Sequence, residues 1–74
     1  MSPKLPVISG AEMIRFLVKQ GFTVQRQTSS HVIVQKDWRV FSVPLHKELK
    51  KGTEIAILKQ AGIELSLFKK SYEK

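Results

Sequence analysis

The chain has 74 residues, enough for one compact domain and no more. It carries 13 Lys and Arg against 6 Asp and Glu, a formal charge of +7 with a pI near 10.1, so a polyanionic partner is expected: nucleic acid, an anionic membrane or an acidic protein. The absence of cysteine excludes disulfides, thiolate metal sites and a cysteine nucleophile, and the small size excludes a deep enclosed pocket, which leaves a shallow groove or a turn as the seat of function.

Met1 to Ser9 holds two prolines and a lysine and no sustained apolar run, so no signal peptide is read there. Ser9-Gly10-Ala11-Glu12 matches a capping box, with Ser9 as cap and Glu12 reaching back. Met13, Ile14, Leu17 and Val18 then repeat at helical spacing, with Glu12, Arg15 and Lys19 on the opposite face. Phe16 widens the apolar arc, which suits a helix lying on a sheet, and Gly21 ends it. The stretch from Met13 to Val18 is the most hydrophobic, yet Arg15 interrupts it and it is too short to cross a bilayer. A soluble, cytoplasmic protein with no membrane partner is the expectation.

Residues 22–28 alternate, Phe22 and Val24 against Thr23, Gln25 and Gln27, and predict a strand with one buried face. Thr28-Ser29-Ser30 is a polar turn, and His31 to Gln35 is a second strand rich in β-branched residues. Lys36-Asp37 is read as a tight hairpin turn without the usual glycine. Trp38 to Val43 makes a third strand that Pro44 closes. A lysine-rich loop from Leu45 to Gly52 follows, with Thr53 as helix cap and Ile55, Ile57, Leu58 and Ala61 as the buried face of a second helix ended by Gly62. Ile63, Leu65, Leu67 and Phe68 predict a short extra C-terminal helical turn, after which Lys69 to Lys74 frays. The order is α-β-β-β-α in a single α+β domain over 1–74, its core at about 5–68. A three-stranded antiparallel sheet carries the helices on one face, the element order of the double-stranded-RNA-binding fold.

Cleavage of RNA without metal needs a base for the ribose 2′-hydroxyl and an acid for the leaving oxygen. Histidine, which exchanges protons near neutral pH, suits either role. His31 opens a strand directly after a small polar turn, so the sheet can hold it while its ring reaches solvent; an idle strand histidine is the plainer reading. His46, at the head of the lysine loop, is a second acid or base, a phosphate contact or loop filler. The two histidines have no metal-ligand spacing, and Glu12, Asp37, Glu48, Glu54, Glu64 and Glu73 are scattered, so no metal site and no cofactor is expected.

Lys47-Glu48-Leu49-Lys50-Lys51-Gly52-Thr53 places cations and a glycine before a helix N-terminus, where backbone N–H groups receive phosphate; Glu54 in the first turn partly offsets that field. The plainer reading of this stretch is a solvated loop with an ordinary cap. Arg26, Lys36 and Arg39 spread positive charge over the sheet edge and hairpin. Trp38, Phe41 and Tyr72 are possible base-stacking rings, although strand positions for Trp38 and Phe41 point first to packing.

In order along the chain, the segments resemble the HicA (YcfA-like) family of mRNA interferase toxins. The resemblance rests on Leu5-Pro6-Val7-Ile8-Ser9-Gly10, Gly21-Phe22, and Arg26-Gln27-Thr28-Ser29-Ser30-His31-Val32-Ile33 with its Ser-His motif. It continues through Val43-Pro44-Leu45-His46, Leu49-Lys50-Lys51-Gly52-Thr53 and Ile57-Leu58-Lys59-Gln60-Ala61-Gly62-Ile63. It implies an endoribonuclease of a type II toxin-antitoxin system that cleaves mRNA, with His31 catalytic and Ser30 in support. Lys47, Lys50, Lys51, Gly52 and Thr53, with Lys36, Arg39 and His46, are the expected RNA contacts. It also implies a HicB-type antitoxin as protein partner, with the free toxin monomeric.

Two rival readings stay open: a non-catalytic double-stranded-RNA-binding module, or a decayed toxin kept as an antitoxin-binding domain. One position departs from the family pattern. Ser29 stands where glycine usually precedes the Ser-His pair, which leaves a choice between a positive-φ turn strained by serine and an ordinary turn.

Overall fold

The computed structural model describes residues 5–72; the readings placed on Met1–Lys4 and Glu73–Lys74 fall outside them. The elements run α1 (Gly10–Lys19), β1 (Thr23–Gln27), β2 (His31–Lys36), β3 (Arg39–Pro44), α2 (Lys51–Ala61) and α3 (Leu65–Ser71). They form the expected α+β architecture. The sheet has the order β1-β2-β3, antiparallel throughout, and Val32, Val34, Phe41 and Val43 turn its buried face toward the helices.

The capping box forms as read. Glu12 N–H donates to Ser9 Oγ at 3.1 Å and Ser9 N–H to Glu12 Oε1 at 2.9 Å, satisfying two donors at the start of α1. Met13, Phe16 and Leu17 are buried, whereas Val18 is 48% exposed. A buried arc centred on Phe16 and Leu17 leaves Val18 about 100° around the helix from Leu17, at the edge of the contact.

Several boundaries differ from the sequence reading. Phe22 is buried but precedes β1, and Val24 is half exposed, because β1 is an edge strand with a bulge between Val24 and Arg26. The β2–β3 turn is Asp37-Trp38, since Lys36 pairs with Arg39. Asp37 takes φ 55, the only positive φ at a non-glycine position among the described residues. Aspartate tolerates that left-handed conformation better than most residues and stands in for the missing glycine. Trp38 is therefore in the turn, not in a strand, and Phe41 alone of that pair reaches the core.

Helix α2 starts at Lys51 with Lys50 as its N-cap, and Thr53 lies inside the first turn. The earlier start follows from Leu49, which is buried and whose N–H donates to Ile8 O at 2.8 Å, so the chain turns into the helix at once. At the C-terminus Lys69, Lys70 and Ser71 belong to α3 instead of fraying. Phe68 is fully buried edge-on to Phe16 at 5.1 Å, and Tyr72 closes on Phe68 at 5.3 Å. Edge-to-face pairs of this kind add about 0.5–1.5 kcal/mol beyond area burial, which offsets the poor helix formation expected of so short a segment.

The start of α1 meets the end of β3 at very close range. Gly10 N–H donates to His46 O at 2.9 Å, and a Cβ on Gly10 would strike the Pro44 carbonyl oxygen and lie 3.0 Å from Leu45 Cα. Only glycine permits that approach. Gly10→Ala is therefore expected to destabilise the domain by about 3 kcal/mol, at the upper end of overpacking costs. Gly52→Ala, where a Cβ meets nothing, should be neutral or stabilising by up to about 1 kcal/mol. Urea midpoints of the two variants check the contrast, and equal midpoints would refute the close-approach argument.

Candidate active site

The turn before β2 is fastened by one hydroxyl. Thr28 Oγ1 accepts from His31 N–H at 3.0 Å and from Ser30 N–H at 3.4 Å, and donates to His31 O at 3.1 Å. That uses its one donor and two acceptor positions. Thr28 N–H also donates to His31 O at 2.8 Å. Ser29 does not have a positive φ, so the turn is an ordinary one and serine there is unstrained. Thr28 is a structural support of the turn that the sequence pattern shows only as one of three polar turn residues. A Ser or Thr whose hydroxyl can bond backbone two or three residues on is the signal that points to it.

Ser30 Oγ lies 3.0 Å from His31 Nδ1. Either the hydroxyl donates to the bare nitrogen or the ring N–H donates to the hydroxyl; both fix the ring and leave Nε2 without an intrachain partner among the described residues. His31 is exposed, while its neighbours Val32 and Val34 are buried. By strand alternation it stands on the sheet face turned away from the helices. The register puts Arg26 and Ser42 opposite Ile33 on that same open face.

On its other side His31 pairs with Pro44, and Leu45 N–H donates to Ser30 O at 2.8 Å. The chain reaches His46 one residue later. His46, Lys47, Lys50, Lys51 and Gly52 are exposed and Thr53 is half-buried, so the His31 turn and the head of the lysine loop are tied by backbone. Lys50 and Lys51 stand at the positive end of the α2 dipole, with no side-chain cap to occupy its N–H groups.

Lys36 and Arg39 are not brought to this site. They close the other end of β2, about 17 Å from His31 at roughly 3.3 Å per strand residue. Lys36 Nζ donates to Gln20 O at 2.8 Å, and the Arg39 guanidinium lies 5.0 Å from the Trp38 ring centroid. Among the described residues no group of three or more His, Cys, Asp or Glu is placed to hold a metal ion, and no helix is long and apolar enough to cross a membrane.

The sequence profile of the HicA toxin of bacterial toxin-antitoxin systems matches residues 10–63, well over half of the chain. The chain belongs to the HicA toxin family. It is therefore a toxin of the toxin-antitoxin kind, for which an antitoxin is the general partner. The HicA match runs from the first residue of α1 to the residue after the Gly62 cap and includes the His31 turn and the lysine loop. No curated protein and no solved structure matches the chain.

Glu54 stands in the first turn of α2, as read, but it is buried there. It is 1% exposed, and neither carboxylate oxygen has a hydrogen-bond partner among the described residues. Burial pushes its carboxyl above the usual range, which the nearby Ile8 backbone partly counters. A raised native pKa means the folded state holds the proton longer than the unfolded chain, so stability falls as pH rises from 4.5 through the native value. Glu54→Gln should lack this decline, so the variant gains on the wild type from acid to neutral pH. Urea unfolding of both across that range checks it; parallel curves would contradict the burial of a titrating Glu54.

Proposed function

We propose that this chain is an endoribonuclease that cleaves mRNA without a metal ion, with His31 moving a proton at the scissile phosphodiester. The observation that carries the reading is the 3.0 Å contact between Ser30 Oγ and His31 Nδ1, within a turn locked by Thr28 on an open sheet face. The ring is oriented through one nitrogen and exposed to substrate through the rest. In the reaction the ribose 2′-hydroxyl loses its proton and its oxygen attacks phosphorus. The P–O5′ bond then breaks, and the departing O5′ gains a proton. His31 is the base for the first transfer or the acid for the last. His46 is the available second group.

Lys50 and Lys51, with the N–H groups of Gly52 and Thr53 and the nearby Lys47, hold flanking phosphates and stabilise charge that grows on the phosphoryl oxygens. A HicB-type antitoxin, acidic to match the +7 chain, neutralises the toxin by covering the His31 face. The setting is the bacterial cytoplasm, with the free toxin a monomer.

His31→Ala is expected to lower cleavage of single-stranded RNA by about 10²–10⁴-fold with no change in melting temperature, and His46→Ala to cost less. A folded His31→Ala variant that still cleaves at the wild-type rate overturns the assignment. Replacing Lys50 and Lys51 by alanine should weaken binding evenly across sequences. It should also flatten the log K against log salt slope by roughly 0.7 for each phosphate that the variant no longer neutralises. An unchanged slope would return both lysines to ordinary solvated charge.

A further inference from the structure

The far end of the β2–β3 hairpin carries a feature for which the chemistry at His31 has no use. Trp38 is the only tryptophan of the chain and is 79% exposed. The turn fixes it outside: Lys36 pairs with Arg39, Asp37 takes its left-handed φ, and Gln35 Nε2 donates to Asp37 O at 3.1 Å. The ring is also backed. The Arg39 guanidinium carbon lies 5.0 Å from the Trp38 ring centroid, and Arg39 Nη2 lies 2.7 Å from where a Cβ on Gly62 would be. Gly62, at φ 70, ends α2, so the guanidinium fills the space left by a missing side chain beside the negative end of that helix. A cation is favoured there, and it holds one side of the indole.

We propose that this hairpin tip is a second RNA contact, in which an unpaired base stacks on the open part of the Trp38 ring. Arg39 backs the ring, and the positive charge of this end of the chain draws in the flanking phosphates. The proposal rests on the ribonuclease reading of His31. RNA is favoured over a protein partner by charge: the exposed ring lies against a guanidinium, on a chain of charge +7. Base stacking on an aromatic side chain needs no particular sequence, so the tip supplies grip and length preference. At about 3.4 Å per stacked nucleotide, the roughly 17 Å of β2 between His31 and the tip corresponds to about five nucleotides. Trp38 is accordingly a binding residue remote from the bond that breaks.

The single tryptophan is its own probe. A short single-stranded oligoribonucleotide of mixed sequence, 2′-O-methylated so that it cannot be cleaved, is titrated into the wild-type chain. Trp38 emission should quench to saturation. With the same oligonucleotide carrying a fluorescent label, Trp38→Ala should bind roughly 5- to 150-fold more weakly, and Trp38→Phe should retain most of the affinity. Both variants should melt like the wild type. With cleavable RNA at saturation, Trp38→Ala should cleave at the wild-type single-turnover rate and show only a raised KM.

If the wild type binds and cleaves RNA but emission and Trp38→Ala affinity do not change, the tip proposal falls and the His31 reading stands. A wild-type chain that neither binds nor cleaves RNA overturns both. Emission that responds to antitoxin and not to RNA makes the tip a protein contact and overturns the proposal.

Discussion

A backbone seam between the first helix and the end of the sheet holds the candidate site together. Gly10 presses against the Pro44 carbonyl with no side chain between them and donates to His46 O at 2.9 Å. Leu45 N–H reaches Ser30 O, and Leu49 N–H reaches Ile8 O, both at 2.8 Å. Three stretches far apart in sequence are thus stitched side by side: the entry to α1, the turn that carries His31, and the loop that leads into α2. These are backbone bonds, each worth only about 1 kcal/mol net, but losing their register would separate His31 from the lysines. A domain of this size has little stability to spare, so the precision of the site rests on glycine at position 10.

Electrostatics follow from the same arrangement. Leu49 is drawn into the core and Lys50 becomes the cap of α2, which leaves the first N–H groups of that helix without a side-chain acceptor. The one carboxylate of the first turn, Glu54, points into the core and has no hydrogen-bond partner among the described residues. The positive end of the helix, with Lys50 and Lys51 beside it, is therefore open to an anion. At the opposite end of the same helix the Gly62 cap receives Arg39. One helix orients its positive end toward the His31 seam and its negative end, which holds Arg39, toward the hairpin tip.

Much of this is legible from residue order. The capping box at Ser9 and Glu12, the α-β-β-β-α succession, the third helix and the position of His31 at a strand start follow from local pattern, and local pattern survives folding. What stays hidden depends on partners distant in sequence. Thr53 reads as a cap until the burial of Leu49 moves the helix start to Lys51. Trp38 reads as a strand residue until the pairing of Lys36 with Arg39 puts it in the turn. The burial of Glu54 is hidden because nothing adjacent to it in sequence reveals that the Ile8 backbone lies beside that side of α2. Lys36 and Arg39 look like companions of the lysine loop, but a strand of six residues separates them from it. In the Ser29 turn the family pattern suggests a glycine-type backbone, and the Thr28 hydroxyl supplies the closure without one.

The chemistry assigned to His31 predicts what the ends of the cut RNA look like, and that is the most direct test. Attack by the ribose 2′-oxygen on phosphorus, with proton transfer by histidine and no metal ion, leaves a 2′,3′-cyclic phosphate on one fragment and a 5′-hydroxyl on the other. Mass spectrometry of the fragments, after digestion of a defined RNA by the purified toxin in excess EDTA, should find those two termini and an undiminished cleavage rate. Fragments ending in a 3′-hydroxyl and a 5′-phosphate, or cleavage that stops when EDTA is added, would contradict the account.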